Sequence, residues 1–467
     1  MQRWHLTAGI ASLAALAAFL APNTEARTTL PDLTPIATPL LGVPVAPLLV
    51  ESTGGALHLS AGLDHPAILE GTTEERFLVV TVRADEVDGE ARPVNVAVVM
   101  DRSGSMNDEG KMDYARQAAK EVVNILGEGD RFSLVTFSDR SKVVVASSLA
   151  NDPSRFHRLI DSVYEGGGTN LYAGLADCQL QVQDYTSDRT VNRVIVLSDG
   201  KANVGITRPE ALADIAGKYT GSGISVSTVG LGLDYNEDNL AAMADAGGGT
   251  YRFVDSPGEL TAIFQEELHQ LDSVAAEGVT VDVSLPGIEL VDVLGYDETI
   301  TDDGFSVRLG DVYGGQTRKI VAKVRISSSL LEAQPTDLAD VSLARVDNGD
   351  TPDTVDVFGQ VTTQPEVIEQ TVQRELAILA NEAQVSELAQ EANDAWNDGD
   401  AQKSKELLDN SQLIAGEAGS RYGSMELTEQ AEELDRQGDV YDNVAPTSTE
   451  GKRANKANKE LYRDWSR

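Results

Sequence analysis

The stretch VNVAVVMDRSGSM, Val94 to Met106, decides the fold. An apolar, β-branched run ends abruptly at Asp101, and Ser103 and Ser105 follow at two-residue steps. An apolar run of this kind reads as a strand buried on both faces, which is the signature of a parallel sheet covered by helices. Residues two apart in extended chain point the same way, so Asp101, Ser103 and Ser105 can converge on one point. Gly104 allows a tight backbone turn between the two serines.

Outward from this strand, the pattern from Pro93 to about Leu271 alternates strands and helices. Strands are expected at Phe132–Phe137, Val143–Ala146, Val191–Leu197, Ile224–Leu231 and Thr250–Val254. Helices are expected at Met112–Leu126, Pro153–Tyr164, Leu171–Tyr185, Pro209–Tyr219, Asn236–Ala246 and Pro257–Leu271. Such alternation implies an open, doubly wound, mostly parallel sheet. In that architecture ligands sit beyond the carboxyl ends of the strands. Three loops there carry oxygen: DRSGSM with Asp101, Ser103 and Ser105, GGGTN with Thr169, and LSDG with Asp199. Gly166, Gly167 and Gly168 let the second loop approach closely.

Two carboxylates and three hydroxyls without Cys or His form a hard-oxygen set. It suits Mg2+, with Mn2+ or Ca2+ as substitutes. If both carboxylates act through water, the direct ligands are neutral hydroxyls. The metal then stays electrophilic enough to take a carboxylate from another molecule. Ser and Asp also serve as turn residues and caps, so the first loop alone is a weak signal. The three loops together are specific.

On these residues the region resembles a von Willebrand factor type A domain with a metal-ion-dependent adhesion site, the pattern D-x-S-x-S…T…D, matched at Asp101, Ser103, Ser105, Thr169 and Asp199. The phrases VMDRSGSM, DRFSLVTFSD, GGGTNLYAGL and VIVLSDGKANVG also resemble bacterial exported proteins and inter-alpha-trypsin-inhibitor heavy-chain-like proteins that carry this domain. The resemblance implies that Ser103, Ser105 and Thr169 contact the metal, that Asp101 and Asp199 act largely through water, and that a protein partner donates an Asp or Glu carboxylate. The loop residues Arg102, Gly104, Asn170 and Gly200 are then the expected partner contacts. Asp108 and Glu109 stand where integrin β-subunit domains of this family carry ligands of a neighbouring cation, although a solvated loop accounts for them equally simply.

The remaining chain divides by composition. Residues 1–26 read as a signal peptide, with Arg3, an apolar run from Leu6 to Ala21 too short to span a bilayer, and a cleavage point after Ala26. That expectation places the protein outside the cytoplasm, as a periplasmic, cell-surface or secreted species, with no transmembrane segment in the mature chain. Residues 27–53 form a Pro-rich linker. Residues 54–90 contain the strand RFLVVTV, Arg76 to Val82, which needs a sheet. Residues 91–272 form the type A domain. Residues 273–363 alternate with period two, as in GVTVDVSL, and read as an antiparallel β-sandwich. The early strand is expected to join that sandwich, so that the α/β domain is inserted in it or followed by it. Residues 364–440 are helical, with a hairpin broken at Asn397-Asp398-Gly399, and residues 441–467 read as a flexible tail, with a helix in Lys456–Trp465 as the alternative. The acidic run Asp347 to Asp356 lacks the spacing of an EF-hand and reads as a hairpin turn.

Charge and residue content narrow the function. The net charge is −38 over 467 residues, which repels nucleic acid. Cys178 is the one cysteine, so no intrachain disulfide forms, and its helical setting reads as a small buried apolar residue. His58, His65, His157 and His269 occupy no metal-protease motif, and no nucleophile–base arrangement is readable, so the chain is not expected to be an enzyme. Alternatives to a binding module are a channel- or transporter-associated subunit and, less well supported, a hydrolytic enzyme.

Overall fold

The computed structural model describes residues 50–466, apart from 55, 88–91, 188–189, 200–201, 233–236, 255–262, 264–272, 297 and 346–351. The expected signal peptide, most of the Pro-rich segment and the helix expected at Pro257–Leu271 lie outside the described residues.

The α/β domain is built on a six-stranded sheet. Its spatial order is Gly248–Val254, Ser225–Leu231, Val191–Ser198, Val94–Asp101, Arg131–Phe137 and Ser141–Leu149. Every neighbouring pair is parallel except the last, where Ser141–Leu149 runs antiparallel along the edge. Val94–Asp101 is central and buried along its whole length, as its unbroken apolar run requires. From this strand the chain winds to Arg131–Phe137 on one side and later to Val191–Ser198 on the other. The switch point therefore lies between the strands that end at Asp101 and Ser198. Helix Lys111–Ile125 packs one side of the sheet through Met112, Ala115, Ala119 and Val122. On the opposite side, helix Leu171–Gln183 contributes Leu171, Leu175, Cys178 and Val182 to a second core. Cys178 is a packing residue, and burial pushes its thiol pKa up.

The sandwich is assembled from both flanks of this domain. One sheet runs Val50–Gly54, Leu57–Leu63, Thr73–Ala84, Thr317–Ser327, Glu289–Leu294. The other runs Thr299–Ile300, Gly304–Tyr313, Val274–Ser284, Thr336–Ala344, Asp353–Thr362, Ala67–Leu69. The strand that precedes the α/β domain pairs antiparallel with Thr317–Ser327 from Arg83↔Thr317 to Thr73↔Ser327. The α/β domain is thus inserted between strands of one sandwich. Apolar residues at alternate positions, such as Val279, Val281 and Val283 against Leu78, Val80 and Val82, fill the space between the sheets.

The α/β domain and the sandwich are joined by a buried polar contact. Arg193, fully buried, donates from Nη2 to Asp311 Oδ2 at 3.3 Å and to the Tyr313 hydroxyl at 2.6 Å, and from Nη1 to Ser227 Oγ at 2.9 Å. Arg193 lies on a sheet strand, whereas Asp311 and Tyr313 belong to the sandwich strand Gly304–Tyr313.

Five helices follow: Pro365–Gln370, Arg374–Asn397, Ala401–Tyr422, Met425–Asn443 and Thr449–Ser466. The long helix Arg374–Asn397 lays Leu376, Ala380 and Ala383 on the outer face of the first sandwich sheet, against Val79 and Val321. The expected break falls at Asp398-Gly399, where Gly399 takes φ +84°, and Asp400 caps the next helix by accepting from the Lys403 amide at 3.1 Å. The structure corrects one expectation here. Residues 441–467, read as a flexible tail, carry the helix Thr449–Ser466, with Tyr462 fully buried. Polar, basic composition suggested a solvated segment, but its charges are met by carboxylates of the α/β domain.

Candidate metal centre

Asp101 ends the central strand and is fully buried. Its Oδ1 accepts from the Ser103 amide at 2.7 Å, and its Oδ2 accepts from Ser198 Oγ at 2.6 Å. Burial raises its carboxyl pKa to about 6; the hydrogen bonds from Ser198 and Ser103 pull it down, and the charge of Asp199 pushes it up. Ser103 is buried, and its Oγ lies 3.1 Å from Ser105 Oγ, so the two-residue step brings both hydroxyls together as expected. Gly104, exposed between them, donates its amide to the Gly167 carbonyl at 3.0 Å, and the Gly166 amide donates to the Arg102 carbonyl at 2.7 Å. These two backbone bonds lock the first loop to the second.

The glycines of the second loop are needed for this approach. Gly166 and Gly167 have φ of +140° and +96°. A Cβ on Gly167 would lie 2.7 Å from Asp139 Oδ2, and one on Gly168 would lie 2.8 Å from Asp139 Oδ1. Asp139 earns this proximity by accepting from the Gly168 amide at 3.0 Å. Thr169 is buried; its amide donates to Asn203 Oδ1 at 2.9 Å, and its carbonyl accepts from the Asn203 and Val204 amides. Asn170 caps helix Leu171–Gln183 by accepting from the Ala173 amide at 3.1 Å. The loop backbone is therefore held on both sides of Thr169.

Asp199 follows the adjacent strand and is fully buried, and among the described residues neither carboxylate oxygen has a hydrogen-bond partner. Lys111 Nζ, itself buried, lies 3.9 Å from Oδ2. A buried carboxylate with both oxygens unsatisfied is costly unless a charge completes it. The candidate ligands Asp101, Ser103, Ser105, Thr169 and Asp199 offer only oxygen donors, a chemistry that fits a hard divalent cation.

Of the expected partner contacts, Arg102 is half-buried, with Nη1 3.4 Å from the Gly166 carbonyl. Gly200 lies outside the described residues. Asp108 is exposed in the short 3-10 turn Gly104–Gly110, and the side chain of Glu109 lies outside what is described. Sequence reasoning did not single out Ser198, Lys111, Asp139 or Asn203. Ser198 and Asp139 stand inside the quoted phrases LSDG and FSD, where adjacency to the loops was the available signal. Asn203 likewise stands inside the quoted phrase VIVLSDGKANVG, and nothing in the sequence marks Lys111.

Residues 95–266 match the family model of the von Willebrand factor type A domain. The uncharacterized protein YfbK of Escherichia coli is 29% identical over 213 residues, covering 45% of this chain and 37% of that protein. Inter-alpha-trypsin inhibitor heavy chain H4 of Sus scrofa is 31% identical over 224 residues, covering 43% of this chain and 24% of that protein. The chain thus spans less than half the length of either relative. The structure described as von Willebrand factor type A from Catenulispora acidiphila superposes with a TM-score of 0.66 at 18% identity, covering 88% of this chain and 98% of that one. The common fold therefore extends beyond the matched domain into the sandwich and helices.

Proposed function

This chain carries a von Willebrand factor type A domain, and on that premise we propose that it binds a divalent cation at a metal-ion-dependent adhesion site and uses it to capture a carboxylate of a protein partner. The domain itself supports a protein-interaction role in general. The cation, its ligands and the acidic partner are the proposed part. The observation that carries the reading is the buried Asp199 carboxylate with two unsatisfied oxygens at the switch point, one strand away from Asp101.

In this reading Ser103, Ser105 and Thr169 hold the ion directly, and Asp101 and Asp199 balance its charge, chiefly through water. Mg2+ is the proposed ion, with Mn2+ or Ca2+ as substitutes. When bound, the cation supplies an electrophilic position for an Asp or Glu side chain. The protein's own groups prepare it: Ser198 and the Ser103 amide orient Asp101, the glycine loop brings Thr169 close, and Lys111 limits the repulsion between the two carboxylates. Arg102 and Asn170 border the loops and are proposed to meet the partner, with Gly104 and Gly200 leaving room for it.

A binding role is proposed over catalysis; of the described histidines, His157 lies on helix Pro153–Asp161 of the α/β domain and the other two lie in the sandwich. His58 pairs with Asp85 and His65 with Asp64, both within the sandwich, away from the strand ends that carry Asp101 and Asp199. Among the described residues no helix is long and apolar enough to cross a membrane. Export, by the expected signal peptide, is part of the proposal. The test is a pull-down from the native envelope with Mg2+ and with EDTA, beside calorimetric titration of Mg2+ and Mn2+. Capture that survives both EDTA and Asp101→Ala, with no titratable cation, rejects the reading.

A further inference from the structure

The last helix, Thr449–Ser466, meets two parts of the molecule with two chemistries. Toward the helical bundle it is anchored by burial, by neutral hydrogen bonds and by one ion pair, Lys459 Nζ to Asp394 Oδ1 at 3.1 Å. Tyr462 is fully buried, Asn393 Nδ2 donates to Asn455 Oδ1 at 2.7 Å, and Asn458 Nδ2 donates to the Tyr441 hydroxyl at 3.1 Å. Toward the α/β domain it is ionic. Lys456 and Lys459 take the two oxygens of Glu237 at 2.7 and 2.8 Å. Arg463 pairs with Asp245, and Glu460 accepts Arg252 at 3.3 Å.

These partners have a definite place. Glu237 opens helix Glu237–Ala246 and Asp245 closes it, so the basic side chains bracket that helix from end to end. Lys456 Nζ lies 5.8 Å from the Phe253 ring and the Arg463 guanidinium 5.4 Å from the Tyr251 ring. Both rings, and Arg252 between them, belong to Gly248–Val254, the edge strand of the sheet. Glu237 also lies shortly after Ser225–Leu231, the strand beside Val191–Ser198, at the sheet edge where Asp199 stands. A chain of net charge −38 thus places a cationic helix face on two carboxylates of its metal-candidate domain.

We propose that Thr449–Ser466 is an ionic strap that holds the helical bundle against the edge of the α/β domain and is released by charge screening. The neutral contacts keep the helix on the bundle when the ionic face lets go, so opening separates the bundle from the edge strand without unfolding either. Lys456 is nearly buried, so its pair with Glu237 is screened less than a surface pair, and release needs salt well above the physiological range. The strap does not depend on the cation reading, and its test uses no metal.

The experiment is hydrogen exchange of the full chain, followed in peptides covering 449–466 and 248–254, from about 0.1 M to about 1 M salt, where the screening length falls from ~10 Å to ~3 Å. Exchange in both peptides is expected to rise at least tenfold, while the sandwich strands stay protected. Glu237→Lys should reproduce the high-salt pattern at low salt, and adding Lys456→Glu to it should restore protection with inverted polarity, Lys459 keeping its pair with Asp394. Exchange that is flat across the salt range in the wild-type chain overturns the proposal, whatever the variants do. So does an inverted variant that keeps the near-UV circular dichroism of the wild type yet stays unprotected in 449–466.

Discussion

Ser198 Oγ donates a 2.6 Å hydrogen bond to Asp101 Oδ2, joining the ends of two adjacent strands inside the candidate metal centre. With the Ser103 amide on Oδ1, this fixes both oxygens of a carboxylate that has no exposure of its own. A residue that orients a metal-associated carboxylate typically changes affinity 10–100-fold when removed. Ser198→Ala should therefore weaken Mg2+ binding by about tenfold, or ~1.4 kcal/mol, with the circular dichroism spectrum unchanged. Calorimetric titration of the purified variant measures this, and an affinity equal to wild type would remove Ser198 from the site.

Metal removal gives the second prediction. A cation that binds only the folded protein stabilises it by about 2.7 kcal/mol at a hundredfold excess over its dissociation constant. Mg2+ should raise the melting temperature of the α/β domain, EDTA should reverse the rise, and Asp199→Ala should abolish it. The variant also relieves the unsatisfied oxygens of Asp199, so the loss belongs to the ligand response and not to collapse of the fold. A Mg2+-dependent rise that persists in Asp199→Ala would show the ion bound elsewhere.

The first loop of the proposed centre was legible in the sequence because its parts are local. Val94–Asp101 is apolar throughout since both sheet faces are covered, and the alternation Asp101, Ser103, Ser105 survives in the structure as two hydroxyls 3.1 Å apart. That the strand around Arg76–Val82 joins the later sandwich was also readable, because a lone strand must find a sheet; its partner Thr317–Ser327 was not. What stayed hidden depends on long-range contact. Lys111 looks like any helix-start lysine until Asp199 appears beside it. Arg193 looks like a polar interruption in a strand until Asp311 and Tyr313, more than a hundred residues away, enclose it. The basic final segment looked solvated for the same reason, since its partners Glu237 and Asp245 lie in another domain.

The glycine loop yields a paired prediction. Gly167 and Gly166 both hold positive φ, but a Cβ on Gly167 meets Asp139 Oδ2 at 2.7 Å and Ser138 at 3.2 Å, whereas one on Gly166 meets nothing within 4 Å. Gly166→Ala should cost only the backbone strain, about 1 kcal/mol. Gly167→Ala should cost more, roughly 2–3 kcal/mol, because Asp139 must also release the Gly168 amide. Urea unfolding of the two variants orders them, and equal losses would mean that the loop is not held by Asp139.

Stability should also fall as pH rises through the neutral range because of Glu387. Burial raises its carboxyl pKa to about 7, and the neighbouring Asp292 and Glu391 push in the same direction, against the pull of Lys323. The unfolded chain releases this proton near its ordinary value of 4.5, so between about 4.5 and 7 the folded state binds more proton than the unfolded state. The contribution is therefore favourable at low pH, declines across that window, and leaves an unfavourable charge above it. Because the side chain is partly solvated, the size is on the order of 1 kcal/mol. Glu387→Gln should stabilise the protein at pH ~8 by that amount and flatten the decline, since the amide keeps a neutral group facing Asp292. Urea unfolding of both proteins at pH ~5 and ~8 checks it, and the same slope in wild type and variant would assign the decline to other carboxylates.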